Sequence, residues 1–443
     1  MPETGTKPEA AADTRTGTEP ETGTKTGSAA PPATAPAPVA RPAHRDPRVL
    51  RWLGAFTAST LGDSVFYLSL SWAAVSSGTP AQAGLVTAVS AVPRALLMLV
   101  GGVVADRLGP RRVVLVSDTV RCAVTLGLAA VLLLASPGLW ILAAVALVFG
   151  TVDALFLPAV GALPPRIAER DQLARVQGMR GIAHRLGAVL GGPLGGLAVA
   201  VSGSAGAFAL AGALFALSLP LLWTLRLRTL PGEDSTAPRK GTALRDLADG
   251  LRYLRGHKVL GPAMIVVLLS DLGFVGPLNV GLAILSEQRG WGAPGIGWIL
   301  AGFGAGAGAA SLLLTVRGRV SRAGLVQGLT MVAGAGSIAA LAHVPRLPAA
   351  VLVALSIGLL AGLSGVLCNA VIQTACDPAY LGRVSSVAAL GSLGIAPLSF
   401  PLTGAAIGLW GTGPVFVASA AVCALSGVYG LAVPALRRAE LPE

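Results

Sequence analysis

Six ionisable side chains stand in stretches of sequence that are otherwise apolar: Asp63, Arg94, Asp118, Arg121, Asp153 and Asp271. A charge at the middle of a lipid bilayer costs about 2.5–3.5 kcal/mol on insertion scales, so each needs a cavity or a partner. Asp118 and Arg121 are three residues apart, hence on one helix face and able to pair. Their place near the basic end of a span predicts a structural ion pair. Asp63 falls in the middle of its span. Desolvation favours the neutral form of a carboxylate, which makes Asp63 a candidate proton carrier; the competing reading is a structural partner for an arginine such as Arg94. Asp153 and Asp271 are further cavity candidates. Asn279 and Asn369 can bond a substrate or bridge helices, and bridging is the expectation.

No other constellation promises chemistry. The four histidines, His44, His184, His257 and His343, are dispersed. Cys122, Cys368, Cys376 and Cys423 form no C-x-x-C pair and read as small buried residues, so neither metal nor disulfide is expected. Gly302, Gly304, Gly306 and Gly308 imitate a nucleotide loop but lie inside an apolar run with no preceding strand, so they read as a packing face. With no Gly-Lys-Ser/Thr element, neither ATP nor another cofactor is expected. A membrane enzyme would need a nucleophile–base or metal set that this chain does not offer.

The elements that must position the charges are transmembrane helices. The 443 residues are 53% hydrophobic and 12% charged, against about 25% charged in soluble domains. Apolar runs of about 20 residues centre near Leu61, Val92, Val124, Phe149, Val189, Leu214, Ser270, Ala307, Gly334, Leu359, Leu398 and Val422. The predicted fold is therefore an all-α polytopic membrane protein of twelve spans. Net charge +12 does not signal nucleic acid, because the arginines are scattered through short loops. One set of loops holds Arg107, Arg111 and Arg112, then Arg166, Arg170 and Arg175, then 226–258, then Arg317, Arg319 and Arg322, then Arg383. The opposite set holds only Arg289 and Arg346. The positive-inside rule places the basic loops and both termini in the cytoplasm and the chain in the inner (plasma) membrane.

Residues 1–47 carry almost no large apolar side chain and repeat ETGTK at Glu3–Lys7 and Glu21–Lys25, which predicts a disordered cytoplasmic tail. Two six-helix halves are expected at 48–227 and 258–438, with a short C-terminus at 439–443. Between the halves, 228–257 is a linker whose Leu244, Leu247, Leu251 and Leu254 keep helical spacing. That pattern predicts an amphipathic helix on the membrane face. Three anchors share one offset of 208 residues: Asp63 with Asp271, Leu173–Val176 with Leu381–Val384, and Pro193–Gly196 with Pro401–Gly404. The halves therefore read as parallel repeats about an axis along the membrane normal.

Between the second and third spans lies Gly101-Gly102-Val103-Val104-Ala105-Asp106-Arg107-Leu108-Gly109-Pro110-Arg111-Arg112. With the repeat, this loop resembles the signature of the major facilitator superfamily. Leu61-Gly62-Asp63, Val92-Pro93-Arg94, Phe156–Ala159 with Leu173, and Asp249–Leu254 are similar to the drug:proton antiporter branch that includes macrolide-efflux and enterobactin-export proteins. The resemblance implies alternating access between two rocking halves, a small-molecule substrate, protons as the coupling partner and a monomer as the unit. It implies that Asp106 braces the second helix against the second half, while Arg107, Arg111 and Arg112 anchor the loop, with Gly102 and Gly109 shaping it. The repeat places this loop's counterpart at 315–322, which has lost the acid. Gly192, Pro193, Gly195 and Gly196 resemble the Gly-Pro-x-x-Gly-Gly element of antiporters, which favours export. An importer of a small nutrient on the same fold is the first alternative, and a non-transporting membrane partner the second.

Overall fold

The computed structural model describes residues 45–135, 138–168, 172–225, 227, 243–317, 320–377 and 380–439. The predicted tail up to residue 44, linker residues 228–242 and the last four residues lie outside them. Helices α1 (Pro47–Ser77), α2 (Pro80–Leu108), α3 (Pro110–Leu134) and α4 (Leu139–Gly161) come first. A continuous helical stretch, Leu173–Trp223, breaks at Gly203, whose φ of 67° only glycine adopts without strain. It makes two spans, α5 (173–202) and α6 (204–223). After a linker helix, Ala243–Gly256, come α7 (Leu260–Gln288), α8 (Gly292–Arg317), α9 (Ala323–Leu341), α10 (Leu347–Ala375), α11 (Leu381–Trp410) and α12 (Thr412–Ala432).

Among the described residues ten helices are long and apolar enough to cross a bilayer. One of them, Arg175–Trp223, supplies two spans because Gly203 turns it back. The twelfth is α1, less apolar because it carries Asp63 and a ladder of serines and threonines. The outer surface is greasy as lipid demands: Leu133, Leu134 and Val316 are almost fully exposed. Trp298 and Trp410, exposed near the ends of α8 and α11, suit an interfacial belt.

The repeat is visible in the backbone. α4 and α10 begin at Leu139 and Leu347, and α5 and α11 at Leu173 and Leu381, each pair 208 apart. Gly203 and Gly411, again 208 apart, both take a left-handed φ with extended ψ (67° and −175°, 82° and 171°). Ser71 Oγ donates to the Asn279 carbonyl at 3.3 Å, and these two residues are also 208 apart. Equivalent residues can touch only on the pseudo-symmetry axis, so α1 and α7 meet there.

Glycines set the crossings. Gly187, Gly191 and Gly195 face α1, where a Cβ would stand 2.6, 2.3 and 3.3 Å from Thr60, Ser64 and Val65. One step round the same helix, Gly192 and Gly196 face α8 at Gly297 and Ala293. The symmetry-related crossing joins Gly84 of α2 to Phe400, Pro401 and Gly404 of α11. Both crossings, and the Ser71–Asn279 contact, lie towards the end of the bundle opposite the basic loops. At the basic end, Cβ atoms on Gly178, Gly181, Gly382 and Gly394 would meet nothing within 4 Å. The close contacts between the halves are thus gathered towards one end, and nearer the basic end α5 is exposed over most of 177–186.

The linker helix differs from a purely membrane-facing one. Tyr253 stacks on Tyr380 at 4.3 Å, its hydroxyl accepts from the Asp377 amide at 3.2 Å, and Gly250 abuts the Arg383 carbonyl. Leu254 is buried, whereas Leu251 is exposed. The side chains of Leu244 and Leu247 lie outside the described residues. The helix is fastened to the start of α11 because its apolar stripe finds protein there as well as lipid.

Candidate functional site

Four of the expected charges converge in the first half. Arg121 of α3, fully buried, donates from Nη2 to Asp153 Oδ1 of α4 at 2.6 Å and from Nη1 to Asp63 Oδ1 of α1 at 3.2 Å. Its guanidinium carbon lies 4.0 Å from the Phe156 ring centroid and 5.3 and 5.7 Å from those of Phe149 and Phe215. Asp118 is its weakest carboxylate partner at 3.7 Å. The Asp118 Oδ2 atom accepts instead from Ser59 at 2.7 Å and from Ser218. Arg94 of α2 bonds Asp153 and the Tyr67 hydroxyl and lies over the Tyr67 ring at 5.1 Å.

This geometry bears on two expectations. The expected Asp118–Arg121 pair is present at 3.7 Å, but Arg121 also stands level with Asp63 and Asp153 and serves all three acids. Arg94 does not pair with Asp63, because α2 delivers its side chain to α4 and to Tyr67. Nothing in the linear pattern says that Tyr67 carries the ring Arg94 will reach. Three carboxylates face two guanidiniums, leaving one negative charge in excess when all are ionised. Asp63 sits at 3.2 Å from Arg121, between Asp153 at 2.6 Å and Asp118 at 3.7 Å, and is the most exposed of the three, its side chain 24% exposed against 5% for Asp153 and none for Asp118.

Asp271 stands elsewhere. It lines a cavity of about 610 Å³ formed wholly by the second half, with Phe274, Phe303, Gln327, Asn369 and Ser392. Ser392 is its polar neighbour, and it has no cationic partner among the described residues. Asn369 borders the cavity, but its amide donates to Gly365 of its own helix at 3.0 Å. Asn279 likewise donates to Val275 at 2.8 Å. Neither side chain bridges helices as expected, because the preceding carbonyl on the same helix is the nearer acceptor.

The loop residues divide. Gly109 turns the chain with φ 83°, directly before Pro110 at the start of α3. Gly101 packs against the Ala154 carbonyl of α4, whereas a Cβ on Gly102 would meet nothing. Arg111 bonds the Leu222 and Trp223 carbonyls at the end of α6, and so is a C-terminal cap for that helix and not a headgroup anchor. Arg107 and Arg112 are exposed. Asp106 stands in the last turn of α2, and its side chain lies outside the described residues. Gly192, Pro193 and Gly196 form the α5 side of the crossing between halves, while Gly195 packs on α1.

Twelve spans in two repeats, charges gathered inside, and a cleft closed at one end are the anatomy of a transporter. The Major Facilitator Superfamily sequence profile matches residues 52–396. The chain belongs to the Major Facilitator Superfamily. It is a membrane transporter and not an enzyme. Among relatives in this superfamily, the multidrug efflux pump Tap of Mycobacterium tuberculosis is 27% identical over 423 residues, 90% of this chain and 96% of Tap. The enterobactin exporter EntS of Escherichia coli is 27% identical over 307 residues, 69% of this chain and 72% of EntS. Of solved superfamily folds, the nucleoside transporter NupG superposes with a TM-score of 0.69 at 15% identity, covering 87% of this chain and 98% of that one. A bacterial homologue of the human lysosomal transporter Spinster, solved inward-facing and unoccupied, superposes at 0.63 and 15% identity, covering 90% and 97%. These structures carry the fold alone.

Proposed function

We propose that this chain is a proton-coupled exporter of a drug-like or secondary-metabolite small molecule, working by alternating access in the plasma membrane. The observation that carries the coupling is the unbalanced cluster of Asp63, Asp118, Asp153, Arg94 and Arg121. One bound proton makes it neutral, and Asp63 is the most exposed of the three acids and lies farther from Arg121 than Asp153 does. A site that gains a proton on one side and yields it on the other is what antiport needs. The efflux relatives support the outward direction. With the basic loops and termini in the cytoplasm, the open end of the bundle faces inward, ready to load substrate.

Rocking about the α1–α7 axis would open the α2–α11 and α5–α8 crossings and close the basic end. Protonation of Asp63 from outside weakens its bond to Arg121, and the freed guanidinium turns wholly to Asp153 and Asp118. That exchange is the local event we assign to the switch. Everted vesicles with an acidic lumen test it, with ethidium as probe. Wild type should release protons when ethidium is added, and Asp63→Asn should not. Ethidium exchange down its own gradient, which needs no net proton movement, should persist in Asp63→Asn. Equal proton release from both proteins would sink the role of Asp63, and accumulation in the opposite direction would identify an importer.

A further inference from the structure

The second-half cavity is best understood by overlaying it on the first half. Phe149, Asp153 and Phe156 of α4 correspond at the 208-residue offset to Ile357, Ala361 and Ser364 of α10, and Phe215 of α6 to Cys423 of α12. Packing confirms the register: Phe215 covers Gly62 of α1, and Cys423 reaches the Ser270 carbonyl of α7, positions again 208 apart. α3 and α9 begin at Pro110 and Ala323, 213 apart and so shifted five residues from the 208 register; counted from those first residues, Arg121 of α3 corresponds to Gly334 of α9. Every one of these smaller replacements, Gly334, Ile357, Ala361, Ser364 and Cys423, lines the cavity. The cavity is the volume that a guanidinium, its aromatic cage and a carboxylate fill in the first half.

One member of the set is kept. Asp271 is the counterpart of Asp63, and it faces the emptied space with Ser392 beside it. Asp63 has Arg121 at 3.2 Å; Asp271 has no cation among the described residues. A carboxylate at this depth is costly until a positive group or a proton reaches it. The walls also grade. Gln327, Gln373 and Ser385 stand towards the open, basic end, and Phe274, Phe303 and Ile338 lie deeper. The Phe274 and Phe303 rings lie 5.6 Å apart and offer faces to a cation or an apolar body.

We propose that this cavity is a binding site for a guanidinium or ammonium group borne on an apolar body. The ligand's cation would take against Asp271 the position that Arg121 takes against Asp63. The proposal rests on the exporter reading, for which it names a substrate class, and it divides labour between the halves: the proton at Asp63, the cation at Asp271. The volume suits a drug-sized molecule.

Calorimetry on the full chain in lipid nanodiscs, with no gradient, tests the site. The probes are 4-phenylbutylguanidinium and its neutral isostere 4-phenylbutylurea. Wild type should bind the guanidinium at least tenfold more tightly. Asp271→Asn should erase that preference and Asp271→Glu should keep it. Gly334→Arg, which tethers the missing guanidinium in place, should abolish binding of the free one. No binding to wild type, or a preference that survives Asp271→Asn, overturns the proposal. Loss in Asp63→Asn with retention in Asp271→Asn also overturns it, by moving the cation site to the first half. The exporter reading fails separately. Binding that depends on Asp271, with no gradient-driven movement of the guanidinium in everted vesicles, would leave the site standing and remove the transport role. Transport without an Asp271-dependent preference would do the reverse.

Discussion

Arg121 is the residue on which the charged cluster depends. Its guanidinium answers three acids and lies against three aromatic rings, all inside the helical bundle. Removing one member of a buried ion set leaves the others uncompensated, at a cost of about 3–5 kcal/mol. Arg121→Met should therefore lower the melting temperature in detergent far more than Asp63→Asn, which removes one excess negative charge. Adding Asp153→Asn to Arg121→Met should recover part of the loss, and equal melting temperatures for the two single variants would contradict the picture. The ionisable residues were legible in the sequence because charge inside apolar runs is conspicuous. Their pairing was not: Arg94 reaches Asp153 and Arg121 reaches Asp63, and neither choice is encoded in spacing along one helix.

At the scale of elements, backbone contact is what the glycines provide. A Cβ on Gly150 of α4 would stand 1.9 Å from the Ser90 carbonyl of α2, and one on Gly101 of α2 would stand 2.4 Å from the Ala154 carbonyl of α4. Both approaches involve rigid helix backbone, so Gly150→Val should abolish monodisperse protein on size-exclusion chromatography while Gly102→Ala should not. Gly192 and Gly196 pack between the halves and not within one. Gly196→Leu should wedge the α5–α8 crossing apart and favour opening at the end now closed. A single cysteine at Ser71, on the axis and nearly buried, reports this. Its labelling by an impermeant maleimide from the non-basic side should rise several-fold in Gly196→Leu. Unchanged labelling would mean that the crossing does not hold that end shut. The small-residue pattern of α5 was readable in advance, but which glycines face α1 and which face α8 was not, since the two sets differ by one step round a helix.

For the whole molecule, orientation and conformation are one question. If the basic loops face the cytoplasm, a cysteine at Arg255 should react with an impermeant maleimide in everted vesicles and not in intact cells. A cysteine at Thr412 should do the opposite. Gly181→Cys, at the open end, should react from the same side as Arg255→Cys and be protected when a transported cation drives closure. Reaction of Arg255→Cys in intact cells would reverse the topology.

Span number, the placement of arginine in alternate loops and the 208-residue register are properties of the linear chain. Each follows from a local rule: the length of helix a bilayer requires, the charge asymmetry of insertion, and a duplication in which positions keep their spacing. The tertiary structure decided what no local rule reaches. It made one half a filled ion cluster and the other a cavity, because Phe149, Phe156, Phe215 and Arg121 were matched against Ile357, Ser364, Cys423 and Gly334. It also decided which carboxylate keeps a partner. Volume and charge are balanced only among side chains that helix packing brings together, and packing, unlike helix formation, is settled between residues distant in sequence.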